Sequence, residues 1–524
     1  MRIAIVVDGE HMPGYMADLM ASLRKQVAAT FTCLTSPAAD KSLRPQEHPN
    51  ALFSVLCFLE KLIALVAGRR WIASADVSAA ALCDAREEWL AAEGATASAR
   101  AADECNPPMP YDVVVNFSAM ANAELARSTL TPVLSSSLGA PTRWLGFWET
   151  CRRASSMEFS VSMCTGPSQA EETIVWGHLQ THLLFLQNRQ LLAAHVGHYL
   201  GQALAAIGSG NTVRKTSSGA TGRRVNSQAP SASQVCKYLA ALYGRILKKA
   251  WLRLLGKRYR WMVCASYGDW QQPALSGSIL LENAPGRFSA DPFVFSRGGE
   301  AVCFVEEFNY GTGKGTIVCH ALHAGRFKKL GTALEEDFHL SFPFVFEFDG
   351  TLYMCPETSS QRDIRIYKCL GFPLRWVLEK VLINDIAAVD SVMFEKDGRW
   401  WLLTCVNPLG QGSEFSELHA FFAGSPLDST WTPHARNPLL VDQVTARNGG
   451  FFREGQRMFR VNQLQAYDIY GAGAQVNEIL ALDETTYAET PLKDLAVADI
   501  PGQVGMHHYS KHGAVSAYDV SFYH

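Results

Sequence analysis

A hairpin phrase recurs through the second half of the chain, and no other feature restricts the fold as much. Asp291-Pro292-Phe293-Val294-Phe295 is an apolar run that turns at Gly298-Gly299 and returns from Val302 to Phe308. Apolar alternation on both sides of a glycine turn is the mark of a β-hairpin. The phrase returns at Phe342-Pro343-Phe344-Val345-Phe346 with a turn at Asp349-Gly350, and at Asp390-Ser391-Val392-Met393-Phe394 with a turn at Asp397-Gly398. A fourth copy, Arg447-Asn448-Gly449-Gly450-Phe451, turns at Glu454-Gly455, and a weaker fifth begins at Gly505 and turns at His512-Gly513. The starts lie 51, 48, 57 and 58 residues apart. That period suits the blades of a β-propeller rather than the units of a helical solenoid. Residues 315–320, 364–369, 417–423 and 475–482 read as third strands, and Trp376, Trp431 and Tyr487 recur where outer strands would lie.

The register has a chemical consequence. A two-residue turn at places seven and eight sets the first residue opposite the one fifteen places on. The expected facing pairs are Asp291 with Glu306, Phe342 with Glu357, Asp390 with Cys405, and Arg447 with Asn462. Innermost strands of a propeller converge on its axis, so Asp291, Glu306, Glu357, Asp390, Arg447, Asn462 and His507 or His508 gather around one funnel. Two carboxyl groups in a concave site are what glycosidic-bond chemistry requires. The expected roles are base or nucleophile for Asp291, acid for Glu357, and orienter or substitute acid for Asp390. Glu306, His339, Arg447, Asn462 and His508 are the expected substrate contacts, Arg447 suiting an anionic group. Phe344, Phe346, Tyr353, Trp400 and Trp401 read as blade packing, and Lys314, in Gly311-Thr312-Gly313-Lys314-Gly315, as part of a turn.

The first half reads differently. Strands at 3–7, 30–34 and 111–116 alternate with helical runs at 16–27, 51–67 and 80–93, which indicates an α/β domain with a parallel, Rossmann-like sheet over residues 1–207. Ligands on such sheets sit at the carboxyl ends of the strands, here Asp8, Gly9 and Asn116. No GxGxxG motif is present, so no dinucleotide is expected. The apolar run 51–68 is broken by Glu60 and Lys61 and reads as a core helix rather than a membrane span. Residues 183–207 form an apolar helix; His178 and His182 read as helical, and His195 and His198 as structural. Residues 208–235 have the composition of a flexible linker. The helix at 236–260 carries eight basic residues among apolar ones; its two readings are a solvated interdomain helix and a peripheral contact with anionic lipid.

Net charge of −3 argues against a general nucleic-acid binder. Thirteen scattered cysteines, without CxxC or clustered histidines, suggest reduced, buried thiols, no metal and no cofactor. The apolar start is too short for a secretion signal, so a cytoplasmic location is expected.

The residues also carry two resemblances. The order of elements in the first 200 residues resembles the N-terminal domain of the formyltransferase fold. That family uses an Asn, a His and a later Asp; Asn116 matches the first, and residues 141–149, where the His is expected, contain none. Residues 261–524 are more specific: Asp291-Pro292-Phe293, Val305-Glu306-Glu307-Phe308, Met354-Cys355-Pro356-Glu357-Thr358-Ser359 and Asp397-Gly398-Arg399-Trp400-Trp401 resemble the N-terminal domain of plant glucosamine inositolphosphorylceramide transferases. Their separate glycosyltransferase domain has no counterpart here. That domain is in turn similar to five-bladed propeller glycosidases, which use a first-blade Asp as base or nucleophile, a second-blade Asp as orienter and a third-blade Glu as acid. Asp291 matches the first, Phe342 stands at the second, and Asp390 takes the third. The resemblances imply a formyltransferase-like α/β domain followed by a five-bladed propeller that acts on a carbohydrate or glycolipid. The alternatives are a non-catalytic glycan or glycolipid binder and a sugar N-formyltransferase.

Overall fold

The structure is a computed structural model. It describes the chain apart from residues 9–10, 36–50, 67–76, 79–84, 89–110, 130, 140–141, 167–168, 216–227, 258, 269, 272–277, 298–299, 324, 411, 413, 496–501 and 524. Gly9, the Gly298-Gly299 turn and the middle of the linker therefore lie outside the described residues. The chain divides into two compact units, Met1–Arg245 and Ile246–His524.

In the N-terminal unit, the strands Ala85–Glu88, Thr30–Thr35, Arg2–Val7, Val113–Phe117 and Val133–Ser136 lie side by side in that order, all parallel. Ser156–Cys164 and Glu172–Gln180 extend the sheet antiparallel. The strands Ile3–Val7 and Val113–Val115 are wholly apolar and buried, as strands covered on both faces must be. Two expectations are corrected. Residues 85–88 are a strand, not part of a helix at 80–93, because they pair with Thr32–Thr35. His178 lies in the strand Glu172–Gln180 and His182 in the following loop; that strand's alternating burial has the two-residue period of a sheet. Helix Ala51–Val66 buries Glu60 completely, and its carboxylate accepts the backbone N–H of Leu186 (2.9 Å) at the start of helix Phe185–Gly208. A buried acid thus caps a helix whose first amides lack partners. Among the described residues no helix is long and apolar enough to cross a membrane.

The C-terminal unit is a ring of five antiparallel sheets. Four follow the chain: the innermost strands are Arg287–Arg297, Ser341–Phe348, Ala388–Lys396 and Asn448–Glu454, each followed by its hairpin partner and outer strands. The fifth is stitched from both ends, with Tyr259–Tyr267 pairing antiparallel to Val515–Tyr523, and Tyr509–His512 pairing to the same strand. Each innermost strand touches the next, and Tyr509–His512 closes the circle onto Arg287–Arg297. A five-bladed propeller results, its edges removed by closure. Rings packed between blades hold it: Phe394 stacks on Phe451 at 4.3 Å and Phe346 meets Trp400 at 5.3 Å. Phe344, Phe346, Tyr353, Trp400 and Trp401 are all buried. Lys314 opens the strand Lys314–His323. The basic helix spans Ala232–Leu254 rather than 236–260; residues from Tyr259 are drawn into the fifth blade, where Trp261 is buried.

Candidate functional site

Each of the first three hairpins begins at the axis with a β-bulge. Ala290 pairs with Glu306 and Phe293 with Phe304, so Asp291 and Pro292 together oppose Val305. The second and third blades repeat this, with Ser341 opposite Glu357 and Val389 opposite Cys405. The extra residues Asp291, Phe342 and Asp390 have left-handed φ values of 48°, 46° and 54°. The expected facing pairs are therefore one residue out of register. Bulges re-aim side chains, and left-handed backbone in such residues costs roughly 1–3 kcal/mol each. The fourth hairpin turns later, with Glu454 opposite Arg457, so Asn462 faces Asn448 rather than Arg447. Gly449 and Gly450 stand there because a Cβ on either would collide with the carbonyl of His507 or Tyr509.

The re-aimed groups meet around Asp291. Its carboxylate accepts the backbone N–H of Phe342 (3.2 Å), while its own N–H donates to Asp519 Oδ2 (3.1 Å). A chain of backbone-to-carboxylate bonds thus runs from the fifth blade through the first to the second. Asp519 Oδ1 also accepts the N–H groups of His507 and His508, each at 3.0 Å. The His507 ring lies between two acids: Nδ1 is 2.7 Å from Asp519 Oδ2 by distance, though not aligned as a hydrogen bond, and Nε2 is 3.4 Å from Asp291 Oδ1. Asp390 takes a hydrogen bond from Arg447 Nε (2.7 Å) and one from Gln463 Nε2 (3.1 Å). Glu357 accepts from the Ser359 hydroxyl (2.8 Å). Asp291, His507 and Asp519 offer ligand atoms within 4.8 Å of one another and could hold a metal ion.

Burial dominates the electrostatics. It lifts Asp291 to about 7, with His507 opposing the rise and Asp519 and Asp390 adding to it. It lifts Glu357 to about 8, Asp390 reinforcing and Arg447 opposing. Glu306 is pushed well above the carboxylate range by burial and then by Asp291 and Glu357. Burial alone would lower His507, but Asp519 and then Asp291 hold it above its ordinary value. Asp519 is pushed up by burial, yet His507 keeps it below the usual range. The acids are coupled to one another and to two cations, an arrangement typical of functional sites.

Of the expected site residues, Asp291, Glu306, Glu357, Asp390 and Arg447 come together. His339 joins them, its Nε2 3.7 Å from Glu306 and its Nδ1 accepting the Gly315 N–H at 2.9 Å. Asn462 does not: it is fully buried within the fourth blade and donates to the Gln463 carbonyl (2.9 Å). His508 reaches the edge of the cluster, its Nδ1 3.9 Å from Asp291 Oδ1. Its ring is wedged against Phe293 (4.4 Å) and Phe342 (5.2 Å), and burial lowers it to about 3, so it is a neutral packing group beneath the site. Its neighbour His507 takes the site position, stacked at 4.0 Å on Trp261 and 5.4 Å from Tyr470. Asp519 is the residue the sequence reading missed. A lone Asp inside the apolar strand Val515–Tyr523 was the available signal, since a buried carboxylate needs partners.

In the N-terminal unit, Asn116 lines a cavity of about 170 Å³ with Ser118, Asn122, Ser135, Ser160 and Glu171; no histidine is among its described lining residues. Asn116 donates to Asn122 Oδ1 (2.7 Å), Asn122 donates to Ser135 Oγ (2.8 Å), and Ser135 donates to Glu171 (2.9 Å). Asp8 accepts the Ala119 N–H at 2.7 Å.

Comparison with known proteins bears on the propeller unit. The catalytic domain of a Coprinopsis cinerea GH62 α-L-arabinofuranosidase is similar at TM-score 0.35 and 10% identity, over 50% of this chain and 97% of that one. A Bombyx mori GH32 β-fructofuranosidase is similar at TM-score 0.34 and 14% identity, over 41% and 53%. Glucosamine inositolphosphorylceramide transferase 1 of Oryza sativa subsp. japonica is 36% identical over 227 residues, which is 42% of this chain and 30% of that protein. The Arabidopsis thaliana protein of the same name is 33% identical over 243 residues, 44% of this chain and 31% of the relative. The chain thus spans about 30% of the length of these relatives. Residues 271–504 match the family described as glucosamine inositolphosphorylceramide transferase 1, N-terminal.

Proposed function

We propose that the axial end of the propeller binds a sugar and acts on its glycosidic bond, the substrate being a glycan or a glycolipid. The observation that carries this is the cluster of Asp291, Glu306, Glu357 and Asp390, in which burial drives Asp291, Glu306 and Glu357 towards the protonated state. Glycosidic-bond chemistry needs one carboxyl group with a proton to give and one without. Glu357, lifted to about 8, is the acid. Asp291 is the base or nucleophile, fixed by the Phe342 N–H, with His507 positioned against it by Asp519. Asp390, tied to Arg447, orients the neighbouring groups. The relatives' name, a glucosamine inositolphosphorylceramide transferase, supports a glycolipid substrate. Activity rises through pH about 7 as Asp291 ionises and falls through about 8 as Glu357 loses its proton. The test is release of aryl alcohol from a panel of aryl furanosides and pyranosides; equal release by wild type and Asp291→Asn rejects the assignment.

A second reading, a binder without turnover, is favoured by Phe342, a fully buried phenyl ring where a second-blade acid is expected. Glycan-array binding that survives loss of both Asp291 and Glu357, with no turnover by wild type, selects it.

A further inference from the structure

Beside the axis the propeller unit holds a groove of about 690 Å³, lined by Lys249, Arg253 and Lys257 together with Tyr259, Tyr470 and Tyr523. Its size suits a small ligand. We propose that this groove binds the phosphate group of a phosphate-bearing sugar or polyol.

The charge balance supports an anion. Between 246 and 260 the sequence has six basic residues and no acidic one, in a chain whose net charge is −3. Of the groove's cations Asp468 engages, among the described residues, Lys249 alone, at 3.0 Å. The side chains of Arg253 and Lys257, both exposed, have no hydrogen-bond or ion-pair partner among the described residues. One guanidinium and one ammonium facing the same cavity match a phosphate, the first as a fork of donors and the second as a point charge. The tyrosines of the lining have the chemistry that lies against a sugar or polyol: Tyr259 and Tyr523 are a cross-strand pair with ring centroids 5.7 Å apart.

The groove also adjoins the acids. Tyr470 lines it, is 42% exposed, lies 5.2 Å from the Arg447 guanidinium and 5.4 Å from the His507 ring. Tyr259 packs on Trp261 at 5.8 Å, and Trp261 on His507 at 4.0 Å. A ligand anchored by its phosphate in the groove has its sugar portion next to the axial cluster. That last step rests on the function proposed above; phosphate binding itself does not.

Titration calorimetry of the full chain, with glucose 1-phosphate, glucose and inorganic phosphate as separate probes, tests the site. A parallel arm uses sedimentation with vesicles of pure phosphatidylcholine or of phosphatidylcholine containing phosphatidylinositol. Wild type is expected to bind at least one phosphate-bearing probe at least tenfold more tightly than Arg253→Glu/Lys257→Glu. The exchange Arg253→Lys/Lys257→Arg is expected to restore most of the binding. In an Asp291→Asn/Glu357→Gln background the charge reversal at Arg253 and Lys257 is still expected to weaken phosphate binding at least tenfold, so that a failed catalytic assignment leaves this result standing. Binding to the phosphatidylinositol vesicles alone identifies a lipid headgroup as the source of the phosphate, and binding to glucose 1-phosphate identifies a soluble one. Equal binding by wild type and the charge-reversed variant, or no binding in either arm, overturns the proposal.

Discussion

The cavity around Asn116 and the cluster around Asp291 are both polar and both buried in their own units, yet they treat polarity in opposite ways. At Asn116 the donors of Asn116, Asn122 and Ser135 find neutral or carboxylate acceptors a few residues or one strand away, and the chain of bonds ends at Glu171. At Asp291 four acids from three blades face one another across the axis with too few cations to neutralise them. A satisfied network stiffens a fold, whereas a strained and charged one is kept where something must be bound or protonated.

The largest expected effect tests that contrast directly. Glu357→Gln removes the transferable proton and is expected to lower kcat on a responsive aryl glycoside by about 10²–10⁴-fold, the usual contribution of general acid catalysis. Asn116→Ala is expected to leave kcat within about twofold, since surface and scaffold changes away from the chemistry act on stability instead. If the second substitution costs as much as the first, the two regions have been assigned the wrong way round.

Next in size is the loss of a cation. Arg447→Met strips Asp390 of its ion pair while that carboxylate stays 2% exposed. Removing one partner of a buried pair typically costs about 3–5 kcal/mol. Urea unfolding of the purified chain measures it, and a change below about 1 kcal/mol would mean that Asp390 finds other support or water.

The two regions also differ in how far the sequence announced them. Hairpins were legible because a glycine turn between apolar alternations is local, and Gly350, Gly398 and Gly513 all have positive φ as such turns need. The bulges were not: Asp enters left-handed backbone more readily than most residues, but Phe342 does not, and no local signal marks these three positions. His507 and His508 lie between two strands, where no alternation separates them, and their rings come to 3.4 Å and 3.9 Å of Asp291 Oδ1. Asp519 escaped because the expected register of the weak fifth hairpin sets Val520, not Asp519, opposite its first residue Gly505. In the N-terminal unit the strand at 85–88 was taken for helix because four residues carry almost no periodicity; its pairing with Thr32–Thr35 is long-range.

A smaller effect at any one pH separates the regions by titration. Glu357 keeps its proton to about pH 8 when folded and to about 4.5 when unfolded. Between those values the folded chain binds the extra proton, so raising the pH favours unfolding, by about 1.4 kcal/mol per unit for each such group. Asp291 and Glu306 act in the same sense, as does Glu60 in the N-terminal unit, lifted by burial to about 7. Stability is therefore expected to fall from pH 5 to pH 8, and Glu357→Gln to fall less steeply than wild type. Parallel slopes for the two proteins would mean that Glu357 is ionised throughout.

The smallest expected effect lies in the satisfied network. The Ser118 hydroxyl donates to Asn116 Oδ1 at 2.7 Å, but the Ser118 backbone N–H reaches the same oxygen at 2.9 Å. Ser118→Ala thus removes one of two donors to that oxygen and the acceptor of the part-buried Met120 N–H (3.2 Å), and is expected to cost about 0.5–1.5 kcal/mol. Neither side chain titrates between pH 5 and pH 8, and the loss should be the same at both ends of that range in urea unfolding. A loss that grows with pH would show that the Asn116 cavity, like the propeller axis, couples to an ionising group, and the division between a neutral scaffold and a charged site would give way.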